Sequence, residues 1–440
     1  MQIIVEGASP LVGSVKISGA KNSALKLLSL ALHSNEDSVI DNVPHIDNLI
    51  SDIEIIKSVG GTVEWLGSNR LMVNGSKMNS YEIPYDIGSG QRTCILLAGP
   101  LLFRFGKAII PKFRRTGYSS NPINRHIDMW KSLGINIEED SKYVYLSSEK
   151  ISSGTINFKI PSHMATDNAV LSSIFIQGET VINNASEESE VDDLLAASCL
   201  MGADVRRTDP KTILVNGNNI LKGFKYSIQG DKTEAATLAA AAILTRGNIE
   251  IKGIEKSVFI PFANFLTKIG ARFEFTDNGV KVWRHDESIN SSQVNISPTP
   301  GFIPDWQPLA VLILNQAEGV SYVHDTVYTD RFEYIKDLNR MGAEIELIKP
   351  SSINNLPIVS DDSYNIKEEG EPLSVAKITG PKKLRGERLQ ILDFKNGAVL
   401  LLAALSAEGK SEIIGVENIE EYFESFLTKI KSLGAKIWQQ

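Results

Sequence analysis

The sequence predicts an α/β protein of two domains, each holding three repeats of a βαβαββ-type unit around buried helices. Three observations point there: the length, a glycine that recurs at near-constant spacing, and helices that are apolar on every side. With 440 residues the chain exceeds the roughly 250 to 300 at which a single hydrophobic core stops growing, so two domains are expected. At six places an apolar residue precedes a glycine and a short strand, as in Val59-Gly60-Gly61-Thr62-Val63 and Ile269-Gly270-Ala271-Arg272-Phe273. These glycines, Gly60, Gly134, Gly202, Gly270, Gly342 and Gly434, lie 74, 68, 68, 72 and 92 residues apart. Such periodicity marks a repeat architecture.

From the N-terminus, MQIIVEGASP reads as a strand and a turn rather than a leader peptide. Residues 1–20 precede the first buried helix and are free to pair with the other domain. Each repeat then holds an Ala- and Leu-rich helix, such as Ala235 to Leu244, whose all-round apolarity means burial. A Gly turn and a strand follow, for example Gln177-Gly178-Glu179-Thr180-Val181 and Glu408-Gly409-Lys410-Ser411-Glu412. Next comes a helix with one polar face, such as Phe262-Phe265-Leu266-Ile269. The recurrent glycine ends it, because a C-cap needs a positive φ that glycine adopts most cheaply. The domain boundary falls near residue 229, giving 21–228 as one domain and 1–20 plus 229–440 as the other. A long loop, 111–126, interrupts the first.

Composition narrows the function. The chain is 42% hydrophobic and 22% charged, with 45 basic against 53 acidic residues and a net charge of −8, ordinary for a globular protein. That balance argues against a nucleic-acid partner bound through its phosphates. The apolar runs are too short for the roughly 20 residues of a membrane span, so no membrane partner and a cytoplasmic location are expected. Two cysteines, Cys94 and Cys199, cannot form a disulfide framework or a Cys-based metal site, and both read as buried thiols.

Aligning the repeats puts the buried helices' starts at Lys21-Asn22, Gln91-Arg92, Thr166-Asp167, Asp231-Lys232, Asp305-Trp306 and Lys395-Asn396. Four of these carry a cation, which opposes the helix dipole by about 0.3 to 1 kcal/mol. Snorkelling to solvent explains any one of them. A shared anionic ligand explains all four, since helix N-termini and basic side chains jointly hold phosphate or carboxylate. If the helix starts of both domains face one cleft, Asp231, Glu234 and Asp305 stand at its rim, Asp305 also being suited to starting a helix.

Several segments carry a family resemblance: Ser18-Gly19-Ala20-Lys21-Asn22-Ser23-Ala24-Leu25, Asn42-Val43-Pro44, Leu97-Ala98-Gly99-Pro100-Leu101, Pro304-Asp305 and Thr326-Val327-Tyr328-Thr329-Asp330-Arg331-Phe332. With the six-unit layout they resemble the enolpyruvyl transferases along essentially the whole chain. The branch acting on UDP-N-acetylglucosamine is closer than the branch acting on shikimate 3-phosphate. The resemblance implies an inside-out α/β barrel in each domain and transfer of the enolpyruvyl group of phosphoenolpyruvate to an acceptor hydroxyl, an early step of peptidoglycan synthesis, with no cofactor and no metal. It implies Lys21 and Asp305 as catalytic residues, with Asp305 the base. It also implies Asn22, Arg92, Val327, Arg331 and Lys395 as substrate-binding residues, and closure of the domains around the ligands.

Other positions depart from the family. Its mobile loop carries Pro-Gly-Gly-Cys, with Cys or Asp as general acid, and then Arg-Pro-Val-Asp. Here residues 111–126 contain neither Cys nor Asp. Arg114 and Arg115 are candidate loop anion contacts, with Arg125 beside them, and Lys21 is a candidate replacement acid. The family's Asp-Leu-Arg becomes Asp393-Phe394-Lys395, and its nucleotide-binding Lys-Val-Ser-Val-Gly becomes Ser162-His163-Met164-Ala165-Thr166. His163 itself reads as a structural or surface residue. The expected partners are therefore phosphoenolpyruvate and a nucleotide-linked acceptor, UDP-N-acetylglucosamine first. A different nucleotide acceptor and a ligand-binding homologue without turnover are the alternatives.

Overall fold

The computed structural model describes residues 1–114, 123–148, 151–218, 220–285, 287–359 and 364–439, without the side chains of 394 and 395. The chain divides into two compact lobes. The first lobe is Gly19–Gln229, and the second combines Met1–Ser18 with Gly230–Gln440.

The first lobe is built on the inner helices α1 (Lys21–Ala31), α2 (Ala98–Phe105, preceded by the 3₁₀ turn Arg92–Leu97) and α3 (His163–Ser173). In the second they are α4 (Lys232–Leu244), α5 (Gln307–Leu314) and α6 (Phe394–Ser406). Each lobe has one large apolar cluster, to which its inner helices contribute. In α4 every residue but Thr233 is buried, which its run of alanines permits because small side chains let neighbouring elements approach on all sides.

Six small sheets surround these helices, and they share one topology. In the fourth, Asn248–Lys252 pairs antiparallel with Gly279–Trp283, which pairs antiparallel with Arg272–Thr276, while Val12–Lys16 adds a parallel strand. The third repeats this with Glu179–Asn183, Thr212–Asn216, Asp204–Asp209 and the parallel Thr155–Asn157. In the second, Lys107–Pro111, Tyr143–Ser147 and Asn136–Glu139 form the antiparallel set, and a single Glu82–Ile109 bridge stands where a parallel strand would be. The sixth is completed from the far end of the chain, with Gln2–Glu6 between Lys410–Ile414 and Lys436–Gln439. No closed barrel can be traced among the described strands.

All six recurrent glycines have positive φ, from 75° at Gly134 to 106° at Gly342, the conformation a C-cap glycine supplies. In the second glycine series the fourth repeat differs, for Arg246 rather than Gly247 takes the left-handed position, at φ 53°.

Three sequence expectations need correction. The third inner helix starts at His163, not at Thr166-Asp167, because the Ser162 side chain accepts from Ala165 N and caps it earlier. Cys199 is exposed, on the outer helix Ser189–Leu200, and only Cys94 is buried. Glu234 is no rim residue. It is fully buried, receives Ser18 N at 2.9 Å, and is gripped by Lys429. Asp231 is the α4 cap, accepting from Thr233 N and Glu234 N.

Candidate active site

In the first lobe, α1 begins at Lys21 after an extended Ala20 that offers no side-chain cap. Lys21 and Asn22 are therefore the first helical residues, both half-buried. The charge of Lys21 acts on Asp52, which the outer helix Asp47–Ser58 buries. Burial pushes the Asp52 carboxyl up to about 6, opposed by a hydrogen bond from Thr93 Oγ1 and then by Lys21. Thr93 adjoins Arg92, so one buried carboxylate links the start of α1 to the turn that carries Arg92.

Arg92 belongs to a second group. His126, buried on the helix Asn124–Ser132, meets Asn168 Nδ2 of α3 at 3.1 Å, and the same amide donates to Ile95 O at 3.0 Å. Burial holds His126 down to about 3, aided by the positive charges of Arg92, Arg125 and His163. A ring that stays neutral adds no further repulsion to the basic groups that act on it. Arg114 donates from its guanidinium to Ser89 Oγ at 3.0 Å and lies 5.7 Å from the Tyr85 ring centroid. Arg115 lies outside the described residues. Cys94 offers no thiolate, since burial, helped by the Asp52 charge, pushes its pKa well above the usual thiol range.

In the second lobe Asp305 occupies the 3₁₀ turn Pro304–Trp306, with 38% of its side chain exposed. It caps nothing. Its Oδ1 stands 3.7 Å from a guanidinium nitrogen of Arg331, which is stacked 3.2 Å from the Tyr328 ring centroid. A half-exposed pair at that distance contributes about 0 to 1 kcal/mol to stability, so stability does not explain it. Behind it Gln307 Nε2 donates to Arg331 O at 3.4 Å, and Tyr334 OH donates to Gln307 Oε1 at 2.9 Å. Val327 sits in a turn formed by Asp325, whose Oδ1 accepts from Val327 N and Tyr328 N, both at 2.9 Å. Burial pushes Asp325 up to about 6 against those two amides and Arg331.

The structure thus gathers Lys21 with Arg92 through Asp52 and Thr93, and Asp305 with Arg331 and Val327. Lys395 is the second residue of α6, whose cap Asp393 accepts from Asn396 N at 3.0 Å; its side chain lies outside the described residues. Sequence reasoning missed Asp52, His126, Asn168 and Asp325. Only Asp325 had a local signal, an Asp at a strand end before a turn. Among the described residues no group of three or more His, Cys, Asp or Glu side chains is placed to hold a metal ion, and no helix is long and apolar enough to cross a membrane.

Comparison with known proteins adds the following. A model of the EPSP synthase (3-phosphoshikimate 1-carboxyvinyltransferase) family matches residues 5–430. A UDP-N-acetylglucosamine 1-carboxyvinyltransferase of Caldanaerobacter subterraneus is 31% identical over 439 residues, covering 100% of this chain and 99% of the relative. One from Legionella pneumophila is 30% identical over 436 residues, covering 98% and 81%. Among solved structures, the enolpyruvyl transferase NikO from Streptomyces tendae superposes with a TM-score of 0.86 at 20% identity, over 100% of this chain and 98% of that one. EPSP synthase from Acinetobacter baumannii gives 0.72 at 14% identity, over 100% of both chains.

Proposed function

The chain belongs to the EPSP synthase family, the enolpyruvyl transferases, and from that premise we propose that it transfers the enolpyruvyl group of phosphoenolpyruvate to a hydroxyl of a nucleotide-linked acceptor. UDP-N-acetylglucosamine is the first candidate, which makes the product a peptidoglycan precursor formed in the cytoplasm.

In this reading the acceptor oxygen forms a bond to C2 of phosphoenolpyruvate while its methylene carbon takes a proton. The resulting ketal loses that carbon's proton together with phosphate, restoring the double bond. The observation that carries the reading is Asp305, a half-exposed carboxylate set 3.7 Å from Arg331 without a capping role. It accepts the hydroxyl proton, and Arg331 stabilises the resulting charge distribution. Val327 and the stacked Tyr328 line the nucleotide pocket. Lys21, Asn22 and Arg92 hold the phosphate and carboxylate of phosphoenolpyruvate and the acceptor, and Arg114 and Lys395 add charge to the anion site. Lys21 is the proton donor to the methylene carbon, since the loop brings no Cys or Asp.

Phosphate release from phosphoenolpyruvate with UDP-N-acetylglucosamine, then with nucleoside monophosphates and other sugar nucleotides, tests this directly. Turnover with one acceptor, abolished by Asp305→Ala or Lys21→Ala in folded protein, supports the reading. Binding without turnover across the panel would leave only the ligand-binding alternative. A pH profile of kcat without a high-pKa acid limb would remove Lys21 from the donor role.

A further inference from the structure

In the second lobe the arginine that faces the candidate base is held by more than its charge. Arg331 is 20% exposed and Asp305 38%, with 3.7 Å between guanidinium nitrogen and carboxylate oxygen. A solvated pair at that separation is too weak to immobilise a side chain as flexible as arginine. Residues 326–331 form neither helix nor strand, so no regular element fixes the guanidinium either. The ring of Tyr328 does, its centroid 3.2 Å from the guanidinium carbon, within the range at which a cation and an aromatic face attract.

The position of Tyr328 depends in turn on Asp325. That residue ends the nine-residue strand Ala317–Asp325, which pairs with Gln293–Ile296 on one side and Val375–Gly380 on the other. Its own amide donates to Ser374 O at 2.9 Å, so its backbone belongs to the sheet. From that anchor Oδ1 accepts from Val327 N and from Tyr328 N, each at 2.9 Å, and Thr326 Oγ1 donates to Ile296 O at 2.6 Å. The first irregular residues are thereby tied back to the strand end. The Asp325 side chain is only 1% exposed, and its Oδ2 has no hydrogen-bond partner. A buried carboxyl with one oxygen unpaired is a costly way to make a turn that an exposed Asp, Asn or Ser makes as well. Stability alone does not account for it, and what the turn delivers is a fixed Tyr328.

We propose that Asp325 is a positioning residue for the transfer: it fixes the turn that carries Tyr328, the Tyr328 ring holds the Arg331 guanidinium, and Arg331 is thereby kept at the carboxylate of Asp305. This rests on Asp305 being the base that takes the proton of the acceptor hydroxyl. Asp325 touches no substrate and acts only through Tyr328 and Arg331. The backbone of Arg331 has its own tether, since Gln307 Nε2 donates to Arg331 O while Tyr334 OH donates to Gln307 Oε1. Loosening the turn therefore frees the side chain and leaves the chain path in place.

Asp325→Ala removes the acceptor of both amides, Asp325→Asn keeps it, and Tyr328→Leu removes the ring alone. With arginine labelled by nitrogen-15, the Nε–H resonance of Arg331 is identified by its loss in Arg331→Lys. The Tyr328 ring current shifts it in the native protein and in Asp325→Asn, and it returns to the position of a free arginine in Tyr328→Leu and in Asp325→Ala. With the acceptor that the native protein turns over, Asp325→Ala lowers kcat about ten- to a hundredfold and leaves KM for phosphoenolpyruvate within about twofold. Asp325→Asn recovers kcat to within about threefold, and adding Arg331→Lys to Asp325→Ala costs less than about a further twofold, because the arginine is already out of place. If Asp325→Ala does not fold, Asp325→Val, suited to a strand end and without an acceptor, takes its place. An Arg331 resonance at the free position in the native protein, or one still shifted in folded Asp325→Ala, overturns the proposal, as do native kcat in that variant and an Asp325→Asn as slow as Asp325→Ala. The expected resonances without enolpyruvyl transfer to any acceptor would sink the transfer reading alone.

Discussion

In the first lobe α1 and α3 bury Ser23, Lys26, Ser29, Thr166, Asp167, Asn168, Ser172 and Ser173, whereas in the second lobe α5 and α6 bury a run from Leu309 to Leu314 and another from Ala398 to Leu405. The charges buried on α4, Lys232 and Glu234, sit in its first turn, while Lys26 and Asp167 lie a turn further in. Both lobes carry the same three-helix, three-sheet plan. The second lobe also buries charge, at Lys232, Glu234, Arg284 and Asp325, so what distinguishes the first is an ion pair buried past the first turn of two inner helices.

The comparison breaks most readily at the buried pair. Asp167→Asn alone should destabilise the first lobe by about 3 to 5 kcal/mol, because it leaves an uncompensated ammonium in the core, and the double apolar replacement, Lys26→Met with Asp167→Leu, should restore that loss. Urea unfolding followed by tryptophan fluorescence measures both. A single substitution costing less than about 1 kcal/mol would mean that water or another group reaches Lys26.

Next in size is the apolar counterpart. Leu400→Ala in α6, at a fully buried position, should cost about 2 to 5 kcal/mol through lost burial and the remaining cavity. Thermal denaturation checks it. Equal costs for Leu400→Ala and Asp167→Asn would show two cores of similar strength built from different chemistry, whereas a small cost at Leu400 would contradict a well-packed second lobe.

A pH response separates the lobes by a smaller margin. Burial lowers His33 to about 4 and His126 to about 3. Their contribution is complete above the unfolded value of about 6.5 and is lost as pH falls toward those folded values. Asp52, raised to about 6, works partly against them. In the second lobe Glu234 and Asp325 are raised to about 7 and about 6. Their contribution is complete below the unfolded carboxyl values and lost as pH rises through the folded ones, so acidification favours that lobe, with the lowered His324 opposing. Moving from pH 6.5 to 5.5 should therefore weaken the first lobe by about 1 kcal/mol relative to the second. Hydrogen exchange of peptides from α1 and α4, corrected for intrinsic rates, would show it, and equal loss of protection in both would contradict it.

Much of the fold was legible because its signals are local. A glycine that must adopt positive φ announces a helix end wherever it stands, and the repeat multiplied that signal six times. The apolar runs of α4 and α6 announced burial in the same way. The start of α3 was misplaced because Thr166-Asp167 resembles a helix beginning, while Ser162 had already capped the helix. Lys21, Arg92, Asp305 and Arg331 were visible as motif residues. The groups that surround them were not, because their partners are remote in sequence: Thr93 reaches Asp52 across 41 residues and Lys26 reaches Asp167 across 141. No local pattern encodes such pairings.

The proposed activity joins an enolpyruvyl group to a nucleotide acceptor with Asp305 as the base. Mass spectrometry of a reaction containing purified protein, phosphoenolpyruvate and UDP-N-acetylglucosamine tests it most directly, with the acceptor panel run alongside. The expected result is an acceptor heavier by one enolpyruvyl group, one phosphate released for each product formed, and no product from folded Asp305→Ala. An unmodified acceptor in every reaction, or undiminished product from Asp305→Ala, would contradict it.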